Sequence, residues 1–343
     1  MQHAKCQSED YIQWLLASPK FVSCAEAARC DTRPIAHDAY TRLLERLEPS
    51  SDELWAEVAP LLNRFSGCLV VDDSTLDKPY GPKIEMVTRH WSGKHQAVVE
   101  GINLITLLWT DGDIAIPVDW RVYDKAEDGL SKNDHLRQML QTARQRGFEP
   151  QCVLFDSWYS SLDNLKQLRD FKWPFFVGLK SNRQVDPDAT GNRAIRELEF
   201  TELSQLTHLK GFGWVNAYKV ELPDCEPRYF ISDQEHLYSQ AQVKQKSEQA
   251  DKIEQYHRSL KQQCHIERCQ ARKRAKQRTH IALALRAYVR LEWFSFTTGI
   301  SRHEAKLSIV RDAITHYLRQ PWLTLPTYPN RKSKVACPPR ATA

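Results

Sequence analysis

Apolar positions recur along the chain at two different spacings, and the switch from one to the other divides it. Up to about residue 60 they fall three to four apart, as on one face of a helix. Spacing around Cys24, Ala27 and Ala28 predicts one short helix. A break at residues 31–34 follows, then a second helical pattern through Tyr40, Leu43, Leu44 and Leu47. Two short helices joined by a few turn residues fit a helix-turn-helix, whose second helix enters the major groove, and equally a plain helical hairpin. Residues 48–52 read as a linker in which Ser51 or Asp52 caps the next helix, leading to Phe65.

From Gly67 the spacing is that of strands. Residues 68–71 (CLVV) are a short apolar run of buried-strand type that ends in Asp72-Asp73. Residues 98–109 predict a second strand, 110–113 (TDGD) a hairpin turn, and 114–123 a third strand, which Pro117 places at an edge or a bulge. Ser131 caps a helix through Arg146, with Leu136, Met139, Leu140 and Ala143 on one face and Gly147 stopping it. Residues 152–155 (CVLF) are a fourth strand ending at Asp156, followed by a helix over 162–168 and a strand over 173–177. This order predicts an α/β fold: an RNase H-like mixed sheet with flanking helices, preceded by an all-α N-terminal region. The irregular, polar stretch after residue 180, with strand candidates at 214–220 and 228–231, reads as a β-rich insertion. Residues 247–318 are helical again. The expected units are a helical region 1–60, a first part of the core 61–180, the insertion 181–245, C-terminal core helices 246–322 and a tail 323–343.

Composition narrows the class. A chain of 343 residues with 41% hydrophobic and 10% aromatic residues can bury a core and has no disordered character. No apolar run reaches 18 residues, and the N-terminus lacks a basic start followed by an apolar stretch, so neither a membrane span nor a secretory signal is expected. Nine scattered cysteines predict reduced thiols in a cytoplasm. Cys264-His265 with Cys269 lacks a second ligand pair, so zinc is not expected. The net charge of +5 says little, but nine Lys/Arg and one acid, Glu267, lie between Lys261 and Arg290. Such a segment suits a polyanion, or is simply a solvated helical face. Arg268, Arg272, Lys273, Arg274, Lys276 and Arg278 are the candidate phosphate contacts. His90, Trp91 and His95, before the second strand, are candidates for DNA contact or for structure. Trp158 and Tyr159 are candidates for base stacking or for core.

The chemistry centres on acids. Asp73 and Asp156 each follow the C-terminal end of an apolar run, where side chains leave the core of an open α/β sheet and converge in a cleft. Glu254 lies in IEQYHRSLKQ, where Ile253, Tyr256 and Leu260 form the buried stripe of a helix. Glu254, Arg258 and Lys261 follow at i, i+4 and i+7 on a neighbouring stripe. Phosphodiester cleavage needs in-line attack on a group already negative, and two divalent ions can activate the attacker and stabilise the leaving oxygen. Hard ions such as Mg2+ take oxygen ligands, and carboxylates from separate elements supply them. Arg258 and Lys261 suit substrate phosphates. The plainer reading of Glu254 is an exposed salt bridge with Arg258.

The stretches VVDDSTLDKPYG, HWSGKHQAVVEGINLITLLW, LFDSWYSS and IEQYHRSLKQ, followed by IERCQARK, resemble bacterial insertion-sequence transposases of the DDE class. The likeness lies with the insertion-sequence-four-like superfamily and, within it, the insertion sequence 701-type group. It implies an RNase H-like core with a β-rich insertion before the catalytic glutamate. It implies Asp73 rather than Asp72, with Asp156 and Glu254, as ligands of two Mg2+ (or Mn2+) ions, and Lys261 as a contact to transposon-end DNA. Ser247 and Ala250 stand where the superfamily often has Tyr and Arg, so those two roles do not carry over. Implied partners are double-stranded DNA, both terminal inverted repeats and target, and a second copy in a homodimer on DNA in the bacterial cytoplasm. The rival enzyme is an RNase H-like nuclease without strand transfer; the rival binder is a catalytically inactive DNA-binding repressor.

Overall fold

A computed structural model describes residues 4–20, 22–81, 83–92, 96–200, 202–221 and 226–321. Four helices come first: α1 (Ser8–Ala17), α2 (Cys24–Cys30), α3 (His37–Arg46) and α4 (Ser51–Val58). Ser50, one residue earlier than expected, caps α4 by accepting from the Glu53 amide. The sheet begins with β1 (Cys68–Asp77), β2 (Thr88–Ser92), β3 (Ala97–Thr110) and β4 (Ala115–Tyr123). Next come α5 (Lys125–Asp128), α6 (Lys132–Gln145), β5 (Cys152–Phe155), α7 (Leu162–Phe171) and β6 (Phe175–Leu179). A small pair, β7 (Gln184–Val185) and β8 (Arg193–Ala194), precedes β9 (Ser204–Leu209), β10 (Gly213–Val220) and β11 (Arg228–Asp233). Three long helices close the described chain: α8 (Gln240–Gln262), α9 (Arg274–Thr298) and α10 (Arg302–Arg319).

Among the described residues one mixed sheet runs in the order β2-β3-β1-β5-β6-β11-β10-β9, with β4 also paired to β3. The runs CLVV and CVLF are buried at every position, because β1 and β5 are central strands covered on both faces. They lie parallel, Cys68 opposite Cys152 through Val71 opposite Phe155. Pro117 sits opposite Leu108 just past a register shift in the β3–β4 pairing, so its missing N–H falls at an irregularity of an edge strand. The insertion is not a separate body. Its strand β11 pairs antiparallel with β6, and β10 and β9 carry the central sheet onward.

The N-terminal helices belong to the same core. Tyr11, Ile12 and Leu15 of α1 and Tyr40, Leu43 and Leu44 of α3 are buried, and both helices pack on α9. The cations on the outer side of α3 are engaged within the protein: Arg42 with Asp38, and Arg46 with the Cys6 carbonyl. The tail 323–343 and His95 lie outside the described residues.

Candidate active site

Alternation along β1 decides what each acid of the Asp72-Asp73 pair meets. Cys68 reaches Gln249 of α8 at 3.2 Å, and Asp72, four residues on, faces His257 of α8 at 3.8 Å. Asp73 points the other way. Its Oδ2 accepts from Asn103 Nδ2 at 2.6 Å and from Lys132 Nζ at 2.7 Å, and its Oδ1 accepts from the Tyr159 hydroxyl at 2.8 Å. Asp156 follows the last residue of β5, and Asp72 the last β1 residue paired with β5, so the two are neighbours where β5 ends. β1 itself does not end at the aspartate pair, as its apolar run suggested, but continues to Asp77 paired with β3. The Asp156 turn is tied down locally: its Oδ1 accepts the Trp158 amide at 2.9 Å, and Ser160 donates to the Gly178 carbonyl.

Glu254 sits where its stripe predicts. Ile253, Tyr256 and Leu260 are buried against the sheet, and Glu254 stands exposed beside them. Among the described residues it makes no ion pair, with Arg258 or any other cation. Two clefts share Asp72 and Glu254 in their linings. One of about 740 Å3 is lined by Asp72, Asp156 and Glu254 together with Lys180, Arg196 and Arg228. The other, of about 860 Å3, is lined by Asp72, Asp73 and Glu254, with Arg258, Lys261 and Arg268. Asp72 and Glu254 border both, Asp73 only the second and Asp156 only the first.

Electrostatics separate the acids. Burial, reinforced by the charges of Asp73, Asp156 and Glu254, pushes the Asp72 carboxyl well above the usual carboxylate range. Burial also raises Asp156, helped by Asp73 and opposed by the Trp158 amide. For Asp73 burial acts upward too, but Lys132, Asn103 and Tyr159 together outweigh it and hold the group below its ordinary value. Among the described residues no three His, Cys, Asp or Glu side chains stand close enough together to hold one metal ion. The donor type is that of a hard divalent cation, carboxylate oxygens that raise one another's pKa and the unpartnered buried Asn103 Oδ1, although the side chains are not gathered into one ligand set.

The basic candidates divide. Among the described residues Arg258, Arg268 and Arg272 make no ion pair and are exposed. Lys261 is held inside, donating to the Thr75 carbonyl at 2.7 Å and lying 3.9 Å from Glu267. Arg274 pairs with Asp124 at 3.0 Å and with Glu127, and Lys273 pairs with Glu45. Lys276 is 3.4 Å from Glu45, and Arg278 lies over the Trp120 ring. His90 is buried against Thr88 while Trp91 is exposed. Tyr159 is core, fully buried, whereas Trp158 is 57% exposed with Lys180 5.1 Å from its ring centroid. Sequence reasoning missed Asn103, Lys132, Lys180, Arg196 and Arg228. Only Lys132 carried a local signal, as the residue after the Ser131 cap.

The chain matches two family models: DDE superfamily endonuclease over residues 8–195, and transposase DDE domain over residues 121–290. No curated protein matches it. Among solved structures it is similar to the piggyBac transposase synaptic complex with hairpin DNA, at 11% identity and a TM-score of 0.50, covering 96% of this chain and 71% of that one. It is also matched to the Drosophila P element transposase strand transfer complex, at 10% identity and a TM-score of 0.28, covering 93% and 87%. The piggyBac likeness is one of fold, and agrees with an RNase H-like core. Family match and fold together identify the chain as a member of the DDE superfamily endonucleases, an enzyme of the DDE transposase type.

Proposed function

We propose that this transposase cuts double-stranded DNA at terminal inverted repeats and joins the freed 3′ ends to target DNA, with Asp73, Asp156 and Glu254 as the ligands of two Mg2+ or Mn2+ ions. One observation carries the reading: Glu254 of α8 borders two clefts, one reached by Asp73 of β1 and the other by Asp156 at the end of β5, with Asp72 common to both. Enzymes of this superfamily work with divalent metal ions. Bound there, such ions would activate the attacking oxygen and stabilise the leaving one. The chain's own groups do the rest. Asn103 and Tyr159 fix the rotamer of Asp73 with two hydrogen bonds, and the Trp158 amide fixes that of Asp156. Arg258 and Arg268, without ion pairs among the described residues, take the phosphates in the cleft of Asp73, with exposed Arg272 a further contact outside it, and Lys180, Arg196 and Arg228 take those in the cleft of Asp156. Work as a homodimer on DNA, membership of the insertion sequence 701-type group and a place in the bacterial cytoplasm belong to the same proposal. No helix among the described residues is long and apolar enough to cross a membrane.

A second reading of the aspartate pair is favoured by a specific observation. Asp72, not Asp73, shares the 740 Å3 cleft with Asp156 and Glu254. Single variants separate the readings. Asp156→Asn is expected to lower cleavage of a labelled element-end duplex by at least ~1,000-fold while leaving end binding intact, as removal of a residue acting only in the chemical step does. Asp73→Asn should match it and Asp72→Asn should not; the reverse order would transfer the ligand role to Asp72. Wild-type cleavage by Asp156→Asn would overturn the assignment of the site. Cleavage without joining to target DNA would leave a plain nuclease.

A further inference from the structure

A cation already sits among these acids, and it belongs to the chain. Lys132 is the first residue of α6, directly after the Ser131 cap, and its side chain crosses toward β1 to place Nζ 2.7 Å from Asp73 Oδ2. Tyr123 of β4 supports it from behind, with Nζ 5.7 Å from the ring centroid. The pair is largely sheltered, with side-chain exposures of 19% and 18%. Asp73 is the only ion-pair partner of Lys132 among the described residues. All three acids Asp72, Asp73 and Glu254 border the 860 Å3 cleft, but only Asp73 among them has a lysine partner and a full complement of donors among the described residues. A lysine is a compact charge on a flexible four-carbon stem, so it can leave a ligand position by rotating about its own side chain. An arginine locked in a bidentate fork leaves less readily.

The geometry points to Lys132 as a tethered cation that occupies Asp73 in the metal-free protein and must give it up when a divalent ion binds. This rests on the reading of Asp73 as a metal ligand. Lys132 keeps the isolated acid cluster tolerable and sets a threshold for loading. The released ammonium stays within reach of the same cleft, where a substrate phosphate is the natural new partner.

Two measurements on the full chain test this, with Mn2+ alone as the probe. Free Mn2+ is followed by its paramagnetic signal for wild type, Lys132→Met, Lys132→Gln and Asp73→Asn. Acetylation of Lys132 is followed by mass spectrometry with and without Mn2+. Loss of the competing ion pair should tighten Mn2+ binding by on the order of tenfold in Lys132→Met. Mn2+ should also speed acetylation of Lys132 in the wild type. Lys132→Gln carries the affinity test should the Met variant not fold. Unchanged or weaker Mn2+ binding in the Lys132 variants, or acetylation indifferent to Mn2+, overturns the tethered cation while weak binding by Asp73→Asn keeps the ligand role. Mn2+ binding by Asp73→Asn at wild-type strength overturns the ligand role itself, and the proposal with it.

Discussion

Gly178 has no side chain because the Asp156 turn leaves it no room. A Cβ there would stand 2.9 Å from the Ser157 amide nitrogen and 3.2 Å from the Asp156 carbonyl carbon, both backbone atoms that cannot step aside. Gly178→Ala should therefore push the turn off β6, costing about 1–3 kcal/mol in urea unfolding. Under the proposed ligand role of Asp156, cleavage should also slow by about tenfold or more, since such a role tolerates little displacement. Normal cutting by this variant would show that β6 does not position Asp156. At this scale the sequence was only partly readable. Asp73 and Asp156 stand out because each ends an apolar run, and Glu254 because its neighbours keep a 3.6-residue period. What surrounds Asp73 was hidden, because Asn103, Lys132 and Tyr159 lie 30, 59 and 86 positions away in the chain. No local spacing reports such contacts.

Among the elements, α9 is buried on nearly every side from Gln277 to Glu292, which is why it shows no clear amphipathic stripe. Burial there makes His280 a neutral residue. Its Nε2 and Nδ1 meet the His265 carbonyl and the Tyr11 hydroxyl, both at 3.0 Å, and desolvation lowers its pKa to about 3. The folded value lies below the unfolded one, near 6.5, so the unfolded chain takes up the proton first. Stability contributed by this group is complete above pH 6.5 and is lost as pH falls toward about 3. The melting temperature of the wild type should thus drop more steeply below pH 6.5 than that of His280→Gln, compared by calorimetry from pH 7 to 4. Parallel curves would locate the acid sensitivity elsewhere. The buried stripe of α8 was legible from Ile253, Tyr256 and Leu260 alone. By contrast, β11 joins β6 across some fifty intervening residues, and pairing at that range leaves no trace in either strand's composition.

For the molecule as a whole, that pairing makes the insertion part of the main sheet. Replacing residues 181–235 by a short Gly/Ser linker should expose the edge of β6, with Phe176 and Val177 beside it, and yield aggregated protein. A soluble, cooperatively unfolding product would show that the sheet is complete without β9 to β11. Charge must also be counted over the whole molecule. The basic run after Lys261 reads as one phosphate-binding segment, yet Glu45, Asp124 and Glu127 from distant elements neutralise Lys273, Lys276 and Arg274. Replacing Arg258, Arg268 and Arg272 together by Ala should reduce the slope of log affinity against log salt by about 2–3, close to one unit per lost phosphate contact. Arg274→Ala should leave that slope alone and destabilise the fold instead. An unchanged slope in the triple variant would move the DNA path to the cleft of Lys180, Arg196 and Arg228. Two basic-lined clefts that share Asp72 and Glu254 give two polyanions separate places beside the same acids. Bond breaking and bond making could then succeed one another at a fixed spot, the exchange being one of strands moving past a stationary enzyme.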